Sequence, residues 1–139
     1  MQVFHTESKI ILTCNKRLSS YLRDEVEALG FKIKREFSTG IELMGTVNDC
    51  IRLNLNLRCV SQVLYSLESF KAADPKELYD NLVKIEWEQL IDFAGYFSVT
   101  SNVNNEHILT PLFANVKVKD AIADRIKASR ASAQIRVPT

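Results

Sequence analysis

Between Gly45 and Leu90 the spacing of apolar residues switches from a helical period to a strand period and back, and that order leaves few folds open. At about 100° per residue, Val47, Cys50, Ile51, Leu53, Leu55 and Leu57 fall on one broad apolar arc, with Asn48, Asp49, Arg52 and Asn56 opposite. From Gln62 to Phe70 the period drops to two. Val63, Tyr65 and Leu67 share one face and Leu64 and Phe70 the other, which predicts a strand covered on both sides. Asp74-Pro75-Lys76-Glu77 then opens a second helix, with an N-cap, a first-turn proline and an acid three residues after the cap. Leu78, Tyr79, Leu82 and Val83 form its buried stripe. Asn54 lies inside the first helix's apolar arc, where an unpaired amide would cost about 1–3 kcal/mol, so it is expected to be bonded and to fasten its surroundings.

Upstream, Lys9 to Thr13 reads as a short apolar strand. A helix follows with Leu18, Tyr21, Leu22, Val26 and Leu29 at three-and-four spacing, stopped by Gly30. Phe31 to Phe37 alternates Phe31, Ile33 and Arg35 against Lys32, Lys34 and Glu36, the pattern of a strand with one wet face. Ser38-Thr39-Gly40 is a turn and Ile41 to Met44 the next strand. The order strand, helix, strand, strand, helix, strand is that of a ferredoxin-like split βαβ domain, here in residues 1–70.

Residues 71–139 begin a different order. Helices at Pro75 to Lys84 and around Trp87 to Ile91 precede a strand at Tyr96 to Thr100 and a polar loop from Ser101 to Glu106. Thr110-Pro111 then starts a long helix whose apolar side includes Leu112, Val116, Val118, Ile122 and Ile126. Trp87, between Ile85 and Leu90, is expected to plug the space between helices and sheet. The fold class is therefore α+β: a ferredoxin-like (βαββαβ) unit followed by an α/β unit.

Nothing in these residues assembles a reaction site. Asp24, Glu25 and Glu27 point outward from a helix at different angles, and His107 has no visible partner. Cys14, Cys50 and Cys59 have no C-x-x-C spacing and sit on or beside apolar segments, so reduced buried thiols and no metal site are expected. No apolar run approaches the roughly 18 residues of a membrane span, so no membrane partner and a cytoplasmic location are expected. A net charge of +1 gives no global attraction to phosphate, which confines any nucleic-acid footprint to local clusters. Two clusters stand out. Lys32, Lys34 and Arg35 lie on or near one strand, with Lys16, Arg17 and Arg23 on the preceding helix. On the long helix, Lys117, Lys119, Arg125, Lys127 and Arg130 outnumber Asp120 and Asp124. Lys117 with Asp120, and Asp124 with Lys127, stand at a spacing that partly neutralises them. A solvated surface explains such charges, and contact with RNA phosphates beside the loop Asn102 to His107 is the functional alternative.

Several short strings, taken in order, resemble one family. They are Leu12-Thr13-Cys14, Leu29-Gly30-Phe31, Asn54-Leu55-Asn56-Leu57-Arg58, Phe70-Lys71-Ala72, Glu77-Leu78-Tyr79 and Ile85-Glu86-Trp87-Glu88. Across about residues 8 to 128 the chain resembles the N-terminal ferredoxin-like plus THUMP region of THUMP-containing RNA methyltransferases, closest to the bacterial large-subunit rRNA guanine-N2 enzymes. The resemblance implies binding of structured RNA, 23S rRNA in particular, for a following Rossmann-like domain that transfers a methyl group from S-adenosylmethionine. That catalytic domain has no counterpart here. Gly30, Gly40, Gly45 and Gly95 are too scattered for a nucleotide loop, and Pro75, Pro111 and Pro138 are isolated. The THUMP unit is expected to be incomplete at its C-terminus, the chain to be a fragment without cofactor, and S-adenosylmethionine to belong to the missing domain. The tail from Arg130 departs from the family pattern, which leaves Arg130 and Arg136 without an implied role.

Two readings from other classes remain open at this point. A small phosphatase-like enzyme would need an anion-cradling loop, of which Cys14-Asn15-Lys16-Arg17 is a faint version without glycines. A regulatory module would bind a small ligand or pair through a sheet edge.

Overall fold

Ile10 and Leu12 stand two residues apart in the first strand and so share one face of its sheet, and both side chains are fully enclosed. The computed structural model of the protein describes residues 5–91, 95–103 and 111–135. The chain divides into two compact units, Met1–Ser69 and Phe70–Thr139.

In the first unit, β1 (Ser8–Thr13), α1 (Ser19–Ala28), β2 (Ile33–Phe37), β3 (Gly40–Gly45), α2 (Val47–Asn56) and β4 (Gln62–Tyr65) follow one another along the chain. The sheet order is β2-β3-β1-β4 with every neighbouring pair antiparallel, the ferredoxin-like arrangement in which each helix crosses over one inserted strand. Register pairs Ile10 with Leu43 and Leu12 with Ile41. Leu22 and Val26 of α1 and Cys50 and Leu53 of α2 close over this four-residue block.

Local chemistry fixes the helices. The Thr46 hydroxyl accepts from the Asp49 N–H at 3.2 Å while the Asp49 carboxylate accepts from the Thr46 N–H at 2.9 Å, a capping box that uses Asp where Glu is usual. The Glu25 carboxylate of α1 accepts from the backbone N–H groups of Arg58 at 2.7 Å and Cys59 at 3.1 Å, tying α1 to the turn that follows α2. Hydrogen bonds from the Cys59 thiol and from these two N–H groups hold the Glu25 carboxyl below the usual carboxylate range.

Three expectations for this unit are corrected. Asn54 is exposed and needs no buried partner, because α2 meets the sheet along a narrow strip of Cys50, Leu53 and Leu57. Ile51 and Leu55 face outward too, Leu55 with 80% of its surface exposed. The fourth strand spans only Gln62–Tyr65, and Leu64 is uncovered because both helices pack on the opposite face, with Val63 and Tyr65. The second strand begins at Ile33, and its register slips between Ile33 and Arg35, a bulge that breaks the regular alternation expected from Phe31 to Phe37.

In the second unit, α3 (Pro75–Val83) packs on α4 (Pro111–Ile135), with a 3-10 turn at Trp87–Gln89 between them in sequence. Asp74 caps α3 by accepting from the Glu77 N–H at 2.8 Å, and the Glu77 carboxylate accepts in turn from the Ala73 N–H at 2.8 Å. Arg125 grips the Glu88 carboxylate through two bonds of 3.1 and 3.2 Å and donates to the Val83 carbonyl at 3.3 Å. The Tyr79 hydroxyl donates to Asp124. Trp87 is half-buried, not a plug against a sheet: its indole N–H donates to the Leu82 carbonyl at 2.8 Å and fastens the end of α3.

No strand forms at Tyr96 to Thr100. Phe97, Val99 and Ser101 are half-buried and alternate with exposed Tyr96, Ser98 and Thr100, so the period-two pattern survives without a ladder partner among the described residues. Thr110, His107 and the rest of the polar loop beyond Val103 lie outside the described residues.

Two outcomes follow for the first unit. Gly40 is buried, and an added Cβ would stand 2.3 Å from the Leu12 carbonyl oxygen. Gly40→Ala is expected to cost about 1–3 kcal/mol, read from urea unfolding followed through the β1 and β3 amide signals. Glu25 contributes stability that is full above the ordinary glutamate pKa and is lost as pH falls through its depressed folded value. Glu25→Gln should therefore lower stability at neutral pH and flatten the acid limb of a stability-against-pH curve.

Candidate nucleic-acid interface

The face of the sheet opposite the helices carries the first basic cluster. Register puts Lys9, Ile11 and Thr13 of β1, Glu42 and Met44 of β3 and Leu64 of β4 on this side. The β2 bulge delivers two consecutive cations to it. Arg35 is the register partner of Glu42, and the Lys34 ammonium stands 3.9 Å from the Glu42 carboxylate. Lys9 approaches the same carboxylate at 3.7 Å.

Glu42 is only 5% exposed, yet both lysines remain more than half exposed. At these distances the lysines are held by charge without short hydrogen bonds, so their donors stay free for another anion. The Arg35 guanidinium lies 4.7 Å from the Phe37 ring centroid. Phe37, Leu64 and Met44 keep 37%, 46% and 47% of their surfaces exposed, which makes the face apolar as well as basic. An open hollow of about 280 Å³ beside it is lined by Lys32, Ile33, Lys34 and Met44.

The neighbouring cations behave differently. Lys16 and Arg17 stand in the turn before α1, not on the helix, and Arg17 adopts a left-handed backbone with φ of 75°. Arg23 is paired with Glu36 at 3.3 Å and Asp24 at 3.5 Å.

On α4 the second cluster separates into three kinds of residue. Arg125 is spent on Glu88 and Val83, and the Glu88 carboxyl is held low by that hydrogen bond. Lys117 is half-buried, with its ammonium 6.0 Å from the Phe113 ring centroid. Lys119 and Lys127 are exposed and make no ion pair among the described residues. Neither Lys117 with Asp120 nor Asp124 with Lys127 closes into an ion pair among the described residues, and Asp124 accepts from Tyr79. The side chain of Arg130 and all of Arg136 lie outside the described residues, as does most of the loop from Asn102 to His107.

Sequence reasoning missed Lys9, Phe37 and Glu42 as members of this surface. The alternation Lys9-Ile10-Ile11-Leu12-Thr13 could have placed Lys9 on the wet face. The bulge that brings Lys34 and Arg35 together carries no comparable signal.

Burial, and then the nearby Glu36 charge, push the Cys14 thiol up, and burial pushes Cys50 up, so neither is poised as a nucleophile. No group of three metal-ligating side chains occurs among the described residues. The hollow beside Met44 presents two lysines and no carboxylate, which does not suit the cationic sulfonium and ribose hydroxyls of S-adenosylmethionine. No helix among the described residues is long and apolar enough to cross a membrane.

Two known domain models match the chain in succession. Residues 9–64 match the RlmL ferredoxin-like domain and residues 72–138 match the THUMP domain. The chain is 32% identical over 119 residues to the ribosomal RNA large subunit methyltransferase K/L of Syntrophotalea carbinolica, which is 86% of this chain and 17% of that relative. Among solved structures, a "possible methylase from Clostridium difficile 630" superposes with a TM-score of 0.76 over 91% of this chain and 34% of its own, at 23% identity. SMU.472, crystallised with SAH, gives 0.73 over 90% and 33%, at 16% identity. At those identities the two structures speak for the fold alone. With both domain models matched in order along most of its length, the chain belongs to the THUMP-containing RNA methylase family and carries that family's ferredoxin-like and THUMP domains.

Proposed function

We propose that this chain is the RNA-docking region of an S-adenosylmethionine-dependent large-subunit rRNA methyltransferase of the guanine-N2 type. In this reading it holds structured large-subunit rRNA, 23S in our proposal, for a catalytic domain outside the 139 residues, in the cytoplasm. The observation that carries it is the match to a ferredoxin-like and a THUMP domain, in that order, together with the likeness to proteins named ribosomal RNA large subunit methyltransferase K/L.

Support also comes from the distribution of charge. With a net charge of only +1, attraction to RNA has to come from cations that are exposed and uncommitted. Lys32, Lys34 and Arg35 on one unit and Lys117, Lys119 and Lys127 on the other meet that condition to different degrees, whereas Arg125 is held as a fastener within its own unit. Each phosphate neutralised releases counterions, so a handful of contacts gives a moderate dependence on salt.

Binding of a labelled large-subunit rRNA hairpin should weaken by about tenfold or more between about 50 and 200 mM salt, read by fluorescence anisotropy. The double change Lys119→Ala and Lys127→Ala should weaken it further and lower the salt slope by roughly two. Incubated with S-adenosylmethionine and RNA, the chain should transfer no methyl group. Salt-independent binding, or methyl transfer by these residues alone, would contradict the reading.

A further inference from the structure

We infer that the helix-free face of the β2-β3-β1-β4 sheet is a platform for an unpaired RNA strand. Phosphates lie against Lys9, Lys32 and Lys34, and a base stacks on the Phe37–Arg35 pair. This rests on the RNA-docking reading and adds to it which surface is used and which form of RNA it takes.

Charge selects the class of occupant. Register places Lys9 and Arg35 on this face, the bulge residue Lys34 reaches its Glu42, and Glu42, the one acid among these strand side chains, is 5% exposed. The presented surface is therefore cationic although the chain as a whole is nearly neutral. Glu42 also acts as a peg. Lys9 and Lys34 approach its carboxylate from the strands on either side, which sets two ammonium groups across β3 without consuming their donors.

The apolar part selects the form. A duplex offers phosphates and sugars to a protein surface and keeps its base faces stacked inside, so it would leave Phe37, Met44 and Leu64 unused. Unpaired bases present flat apolar faces that an aromatic ring or a guanidinium can stack on, and this face supplies both in contact with each other. Four strands about 4.8 Å apart give a sheet about 14 Å wide, enough for two or three nucleotides across it. Pairing of the sheet with another copy through β2 is opposed by that edge's bulge and its charged residues Lys34, Arg35 and Glu36.

The test uses the whole chain with two labelled probes, an oligouridine of about ten nucleotides and a blunt RNA duplex of the same length. The expected result is that oligouridine shifts the amide signals of Lys34, Arg35 and Phe37 and the Met44 methyl signal of the unaltered protein. Phe37→Ala should weaken oligouridine by about fivefold or more, and Lys34→Ala severalfold, with duplex affinity changed less than about twofold. Both residues are exposed, and unchanged thermal midpoints confirm that the variants fold. If oligouridine binds but its shifts are confined to α4 and Phe37→Ala is neutral, the platform is wrong while RNA docking stands. If neither these probes nor a structured rRNA hairpin binds, the docking reading itself falls. A concentration-dependent dimer in sedimentation, abolished by Leu64→Lys, would assign the face to a second copy and overturn the inference.

Discussion

The antiparallel pairing of β1 with β3 is the constraint on which the first unit depends. Register places Ile10 against Leu43 and Leu12 against Ile41, and these four enclosed side chains are the surface onto which Leu22, Val26, Cys50 and Leu53 close. The same register puts Lys9 beside Met44 and Ile11 beside Glu42 on the other face. Because the side-chain period in a strand is two, a slip of one residue would exchange the core for the basic face. Stability and the proposed RNA surface are thus two sides of one pairing. Gly40 enforces it at the end of the ladder, where no side chain has room beside the Leu12 carbonyl.

Elements with a strong local signal could be read directly from sequence. The Asp74 cap with Pro75 and Glu77, the order of the first six elements and the stop at Gly30 all rest on chemistry confined to a few neighbours. Features set by what lies across the fold could not. Asn54 sits among apolar residues in the helical projection, yet the width of the contact strip on α2 depends on the sheet beneath it, and that strip excludes Asn54, Ile51 and Leu55. The segment from Tyr96 to Thr100 has the alternation of a strand, but pairing depends on a partner elsewhere in the chain.

The candidate surface followed the same rule. Lys32, Lys34 and Arg35 were visible as a basic run, but the bulge that turns Lys34 and Arg35 to one face, the buried Glu42 between two lysines and the stacking of Arg35 on Phe37 all arise from cross-strand geometry. On α4, counting charges overstated the available cations. Arg125 is a bidentate fastener to Glu88, and Asp124 answers to Tyr79 instead of Lys127. Net charge therefore says little about this protein's partners, and the commitments of individual side chains say more.

The most direct test of RNA docking is ultraviolet crosslinking of the whole chain to large-subunit rRNA fragments, with the attached peptides mapped by mass spectrometry. The account predicts crosslinks in the peptides spanning β2 and β3 and in the peptide of α4 that holds Lys119 and Lys127. Crosslinks confined to α1 and α2, or none above those of a protein without RNA affinity, would contradict it.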